Sequence, residues 1–173
     1  FEGFFDLTSV DLEEYEPRDI SMQALWGVEE TQAYQVLKQP DVLMLHYLLP
    51  DAYPAAAIDA NWDYYTPRTD HTYGSSLGPA IQAALAARHG ELADAYEHFR
   101  RAYRTDLMDD RGNAGHGIHA AAAGGVWQAV VFGFAGVRVT EEGPAAAPKL
   151  PAHWTRLKFR LRYRDQWYEF DLR

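Results

Sequence analysis

The chain contains no cysteine, which excludes disulfides, thiolate nucleophiles and cysteine metal ligands, and fits a reducing compartment. Positive charge is scarce as well. Against 25 Asp and Glu stand only 16 Lys and Arg, for a formal net charge of −9. That balance argues against a nucleic-acid partner, since holding a phosphate backbone needs a basic face. No apolar run approaches the roughly 20 residues required to span a bilayer. Phe1-Glu2-Gly3-Phe4-Phe5 lacks the basic n-region of a signal peptide. With no initiator Met, these first residues read like the interior of a longer sequence. The expectation is a soluble, cytoplasmic protein with neither a nucleic-acid nor a membrane partner.

Aromatic residues, by contrast, are plentiful, with 5 Trp, 11 Tyr and 8 Phe in 173 residues. Such side chains build large cores, and they also line sugar sites, where a ring face stacks on the C–H face of a pyranose. Composition leaves both readings open. The length suits one domain able to bury about two-thirds of its unfolded surface.

Residues 1–20 are acidic and aromatic without a sustained period, and read as an extended or looped lead-in. From residue 21 to about 49 the apolar positions keep helical spacing, with Met22, Leu25 and Trp26 a turn apart. Pro40 suits the first turn of a helix. Pro54 opens another, through Ala57, Ile58, Trp62 and Tyr65, which Pro67 ends. Ser75 or Ser76 would cap a helix over 77–88, stopped by Gly90. A clear helix covers 91–107, with Leu92, Ala95, Tyr96, Phe99 and Tyr103 on one face. A Gly-rich loop, 109–117, leads to a helix from about 118 to 134, whose small residues at 120–125 invite close packing against its backbone.

The composition changes after Gly136, and 143–151 reads as a Pro/Ala linker. Leu157, Phe159, Leu161 and Tyr163 then alternate with Arg156, Lys158, Arg160 and Arg162. After a turn at 164–166, Tyr168, Phe170 and Leu172 alternate with Glu169 and Asp171, the pattern of a β-hairpin with one apolar face. Consecutive antiparallel helices joined by polar loops suggest part of an α-helical toroid. The expected organisation is a helical portion over 1–136, a linker over 137–152 and the start of a β-sheet module over 153–173.

Three polar loops hold the residues able to carry chemistry. They are Lys38-Gln39-Pro40-Asp41, the run from Thr69 to Leu77, and Gly115-His116-Gly117-Ile118-His119. In the second, Gly74, Ser75 and Ser76 at a helix N-terminus offer backbone N–H groups, hydroxyl donors and the positive end of the dipole, a plausible anion site with histidine donors in reach. The same features also fit a plain serine cap, and His119 fits a hydrogen-bonded core histidine. A His116/His119 metal pair lacks a third ligand, so no metal is expected. Among Asp41, Asp59, Asp63 and Asp70, Asp59 and Asp63 share a helix face and read as solvated surface. Asp70, in the histidine loop, remains a candidate acid or base. No Walker loop, GxGxxG signal or Ser-His-Asp context is present.

Four segments in order carry a family resemblance. Tyr-Gln-Val-Leu-Lys-Gln-Pro-Asp (34–41), Thr-Asp-His-Thr-Tyr-Gly-Ser-Ser-Leu-Gly-Pro (69–79), the Gly-Ile-His helix beginning at Gly117, and Leu-Pro-Ala-His-Trp-Thr-Arg-Leu-Lys-Phe (150–159) resemble motifs of glycoside hydrolase family 65. The resemblance implies a mainly α chain, part of an (α/α)6 barrel followed by a short antiparallel β module. It also implies inverting phosphorolysis of an α-linked glucose disaccharide, with inorganic phosphate as co-substrate, β-glucose 1-phosphate as product and no cofactor. Carried over, Lys38 and Gln39 would bind the donor glucose, while His71, Ser75, Ser76 and His119 would hold phosphate. The family's general acid, a glutamic acid, would lie upstream of residue 1, so no catalytic residue is expected in this chain. The remaining part of the enzyme would come from the same or a separate polypeptide, and a homodimer is implied. The alternatives are a kojibiose or trehalose hydrolase of the same family, with Asp70 activating water, and a non-catalytic carbohydrate- or anion-binding fragment.

Overall fold

A computed structural model describes residues 3–71, 73, 77–110 and 112–173. The chain divides into two compact units, residues 1–82 and 83–173, the division falling inside a helix.

In the first unit the lead-in is pinned in place. It forms 3-10 turns at Phe4–Asp6 and Leu12–Tyr15, and Thr8 makes a parallel bridge with Tyr34. The buried Gln35 amide is the fastening. Its Nε2 donates to the Phe5 carbonyl at 3.1 Å, while its Oε1 accepts from Tyr64 Oη at 2.9 Å and Arg68 Nε at 3.0 Å. A buried amide so fully partnered stabilises one arrangement of the segments it joins, because each partner lost would leave a desolvated polar atom.

The long helical pattern after Ser21 resolves into short pieces. Helix α1 (Met22–Trp26) starts where Ser21 Oγ accepts from Ala24 N, and Gly27, at φ +86°, separates it from α2 (Val28–Thr31). Positive φ costs a glycine nothing, which is why the helix breaks there. After the fully buried Pro40 comes α3 (Asp41–Leu48), and after Pro54 comes α4 (Ala55–Tyr65), as the prolines predict. A 3-10 turn, Thr66–Arg68, carries the chain around Pro67. Met22, Leu43 and Trp62 are buried among this unit's apolar residues. Helix α5 (Gly78–His89) follows; its expected caps, Ser75 and Ser76, lie outside the described residues.

In the second unit α6 (Leu92–Leu107) buries Ala95, Ala102 and Thr105. The last helix is shorter than its pattern suggests. A 3-10 turn occupies Ala114–His116, α7 runs Ala120–Gln128, and Ala129–Phe134 continue as a π-helix. In the small-residue run Ala122 and Gly125 are buried, while Ala120, Ala121, Ala123 and Gly124 are exposed. A further close approach comes at Gly133, where an added Cβ would stand 2.8 Å from the Ala84 Cα.

The segment read as a linker carries its own hairpin, β1 (Arg138–Thr140) with β2 (Gly143–Ala145). The predicted hairpin is β3 (Leu157–Tyr163) antiparallel to β4 (Gln166–Leu172), in register Phe159↔Phe170. Its two-residue loop, Arg164-Asp165, has φ +46° and +63°. Leu157, Phe159, Leu161, Phe170 and Leu172 pack against Val131, Ala135 and Val137, so the alternation read in the sequence is the face that covers the π-helical end of α7. Trp154 forms an aromatic cluster, its ring 5.0 Å from Phe134 and 5.7 Å from Phe99. No helix among the described residues is long and apolar enough to cross a membrane.

Candidate functional site

Lys38 and Gln39 follow the point where two segments of the first unit pair through their backbones. Leu37 bridges Thr69 in parallel, its N–H donating to the Arg68 carbonyl and its carbonyl accepting from Asp70 N–H, both at 2.8 Å. This short ladder fixes the Lys-Gln loop beside the histidine loop while leaving both the Lys38 and Gln39 side chains exposed. Lys38 borders a cavity of about 530 Å³ whose wall includes Phe4, Met22, Tyr34, Val36 and Asp70. That size falls in the range of small-molecule sites.

Asp70 is not available as a base. Its Oδ1 accepts from Arg18 at 2.8 Å and from Tyr73 N–H at 3.1 Å, and its Oδ2 accepts from Arg18 and from Met22 N–H, both at 2.9 Å. Those four bonds fill the acceptor capacity of a carboxylate. Burial alone would raise its pKa. The hydrogen bond from Arg18, the two backbone N–H groups and the Arg18 charge together outweigh that and hold it below the usual carboxylate range. An ionised carboxylate with every lone pair engaged anchors a loop and does not take a proton from water. Asp41, Asp59 and Asp63 are exposed, in keeping with the solvated face read for the last two.

His71 is half-buried, and its Nε2–H donates to the Thr66 carbonyl at 3.0 Å, so one ring nitrogen is spent inside the protein. Ser75 and Ser76 lie outside the described residues.

In the second unit His119 is the N-cap of α7 and not, as its Ala-rich surroundings suggest, a residue on the helix face. Its ring Nδ1 lies 2.6 Å from Asp106 Oδ1, and its backbone N–H donates to Asp106 Oδ2 at 2.9 Å. The hydrogen bond from the His119 ring holds the Asp106 carboxyl below the usual range, against the opposing effect of desolvation. An ionised Asp106 can only accept, so Nδ1 carries the proton and Nε2 is the atom left for other chemistry. Sequence reasoning missed Asp106, because the loop that brings it to His119 gives no periodic signal. His116, on the 3-10 turn before Gly117, is exposed. Among the described residues, no group of three or more His, Asp or Glu is placed to hold a metal ion.

Comparison with known proteins places these segments. Residues 1–128 match the glycosyl hydrolase family 65 central catalytic domain, and residues 137–173 match the family 65 C-terminal domain. A kojibiose phosphorylase from Halothermothrix orenii is 35% identical over 173 residues, which is 100% of this chain and 22% of that protein. An α,α-trehalose phosphorylase from Geobacillus stearothermophilus is 41% identical over 130 residues, 75% of this chain and 17% of the relative. A solved chain from the human microbiome, assigned as a kojibiose phosphorylase, superposes with a TM-score of 0.88 at 29% identity over 99% of this chain and 25% of its own length. The chain thus spans about a fifth of the length of the curated relatives it matches. The fold class is the expected one, helices of an (α/α)6 barrel followed by a short antiparallel β module. With both domain matches in order along one chain, and a fold shared with a relative over nearly its whole length, this chain belongs to glycosyl hydrolase family 65.

Proposed function

We propose that the chain is the donor-sugar- and phosphate-binding part of an inverting α-glucoside phosphorylase, which cleaves an α-linked glucose disaccharide with inorganic phosphate and releases β-glucose 1-phosphate. Lys38 and Gln39 bind the donor glucose, a role supported by the cavity that the exposed Lys38 borders. His71, Ser75, Ser76 and His119 hold the phosphate. The general acid is a carboxylic acid carried by the remainder of the enzyme, in the same or a separate polypeptide. A cytoplasmic homodimer working without metal or organic cofactor completes the reading, as the family resemblance implies.

One observation carries phosphorolysis over hydrolysis. An inverting hydrolase needs a carboxylate free to activate water, whereas phosphate arrives already charged and needs only to be held in line and neutralised. In the histidine loop the carboxylate that could activate water is Asp70, and its four accepted hydrogen bonds are all internal. The curated relatives, named as phosphorylases of kojibiose, trehalose and nigerose, support the same choice.

The test incubates the complete enzyme, with this chain joined to the rest of the catalytic domain, with kojibiose, maltose, nigerose and trehalose. β-Glucose 1-phosphate and free glucose are followed by NMR with and without phosphate. Sugar phosphate formed only when phosphate is present is the expected result. Release of two glucoses indifferent to phosphate makes the enzyme a hydrolase. Phosphate binding without turnover of any of the four sugars leaves a binding fragment.

A further inference from the structure

We propose that Asp106 is a positioning residue for phosphate, fixing the His119 imidazole so that its Nε2–H is presented to a phosphate oxygen. The proposal rests on the reading of His119 as a phosphate ligand. Asp106 stands near the C-terminal end of α6, and His119 opens α7 on the far side of the Gly-rich loop. Both carboxylate oxygens go to this one residue, Oδ2 to its backbone N–H at 2.9 Å and Oδ1 to its ring at 2.6 Å. The two-point hold removes two freedoms at once. The backbone bond fixes where the N-cap sits, and the ring bond fixes which way the imidazole is turned.

Chemistry then limits what the ring can do. Nδ1–H is committed to a carboxylate, so Nε2 is the polar atom that can meet a ligand. Toward an anion it must donate, which makes the bound ring an imidazolium with one N–H on Asp106 and the other on phosphate. The carboxylate behind it offsets the ring's positive charge, and such outer partners set ring orientation in histidine sites generally. The position at the start of α7 adds the positive end of a helix dipole, which favours the same ligand. Without Asp106, the ring could turn its Nδ1 outward or rotate away, and the carboxylate charge that offsets an imidazolium would be gone.

The experiment measures steady-state kinetics of the complete enzyme, varying phosphate and disaccharide separately, for wild type, His119→Ala, Asp106→Asn, their double variant and Asp106→Glu. His119→Ala and Asp106→Asn are each expected to raise KM for phosphate by roughly tenfold or more, the loss typical of a charged hydrogen bond. KM for the disaccharide and the melting temperature should stay near wild type. In the double variant, Asp106→Asn should add nothing to the loss from His119→Ala. Asp106→Glu, which keeps the charge, should recover part of the phosphate affinity. The proposal is overturned if Asp106→Asn leaves KM for phosphate unchanged, or if the two losses multiply. It is also overturned if Asp106→Glu and Asp106→Asn lose affinity equally alongside equal drops in melting temperature, the signature of a merely structural role. Should His119→Ala itself leave KM for phosphate unchanged, the reading of His119 as a ligand falls, and this proposal with it.

Discussion

The guanidinium of Arg18 holds the Asp70 carboxylate through two parallel hydrogen bonds of 2.8 and 2.9 Å, with side-chain exposures of 6% and 3%. The pair ties the lead-in to the histidine loop across a separation of 52 residues. Removing one partner strands the other charge away from water, at a cost of roughly 3–5 kcal/mol. Asp70→Asn should lose about that much in chemical denaturation of the complete enzyme. A joint replacement by apolar residues, Arg18→Met with Asp70→Leu, should lose less than the sum of the two single changes, since no charge is left unpaired although the Met22 and Tyr73 N–H groups lose their acceptor. The pH dependence follows from the lowered pKa of Asp70. The pair's contribution is fully present above the unfolded carboxylate value of about 3.9. It is lost as pH falls through the lower, folded value, and Asp70→Asn should abolish that part of the acid limb.

His46 predicts a second pH effect, in a milder range. Its ring is 4% exposed, edge-on to Tyr53 at 5.1 Å, and neither ring nitrogen has a hydrogen-bond partner among the described residues. Burial lowers its pKa. The folded state therefore prefers the neutral ring, and below about pH 6.5 the unfolded chain takes up the proton first. Stability should fall as pH drops from about 6.5 toward the folded pKa. His46→Leu should flatten that part of a plot of melting temperature against pH. An unchanged slope would mean that the ring is solvated when protonated.

Why some of this was legible and some was not follows from the range of each interaction. The prolines at 40 and 54 and the alternation in β3 and β4 are local signals, and the elements stand where those signals put them. The hairpin β1–β2 was read as linker because Pro144 and Gly143 look like breakers. A two-stranded edge tolerates a proline at a position where no N–H donor is needed. The pairs Arg18–Asp70 and Asp106–His119 are set by chain reversal, and no periodicity announces them. For the site, the residues placed in the Lys-Gln and histidine loops could be read from motif resemblance. The bonds that decide their roles (Asp70 as an anchor, His119 held by Asp106) came only with the fold.

Gly136 should be the least replaceable glycine of the second unit. It has φ +59°, and an added Cβ would stand 2.2 Å from the Ala147 carbonyl oxygen. Backbone cannot yield as a flexible side chain does. Gly136→Ala should cost about 3 kcal/mol or more, combining left-handed strain with overpacking. Gly133→Ala, with helical backbone but 2.8 Å from the Ala84 Cα, should cost less. Denaturation midpoints of the two variants give the order directly.

Lys38 and Asp70 should separate activity from stability. Lys38 is exposed, so its replacement touches no buried contact and should change stability by no more than about 0.5 kcal/mol. As a donor to a sugar hydroxyl it should matter far more to catalysis. Losing one hydrogen bond to a charged group is worth about 1.5–3 kcal/mol, or about 10- to 100-fold in kcat/KM for the disaccharide. Lys38→Met is therefore expected to melt with wild type yet turn over slowly, with KM for phosphate little altered. Asp70→Asn should do the reverse per unit of damage, losing activity only as far as it loses fold. If Lys38→Met keeps full kcat/KM on every disaccharide the enzyme accepts, Lys38 does not bind the donor glucose, and the cavity it borders is not the sugar site.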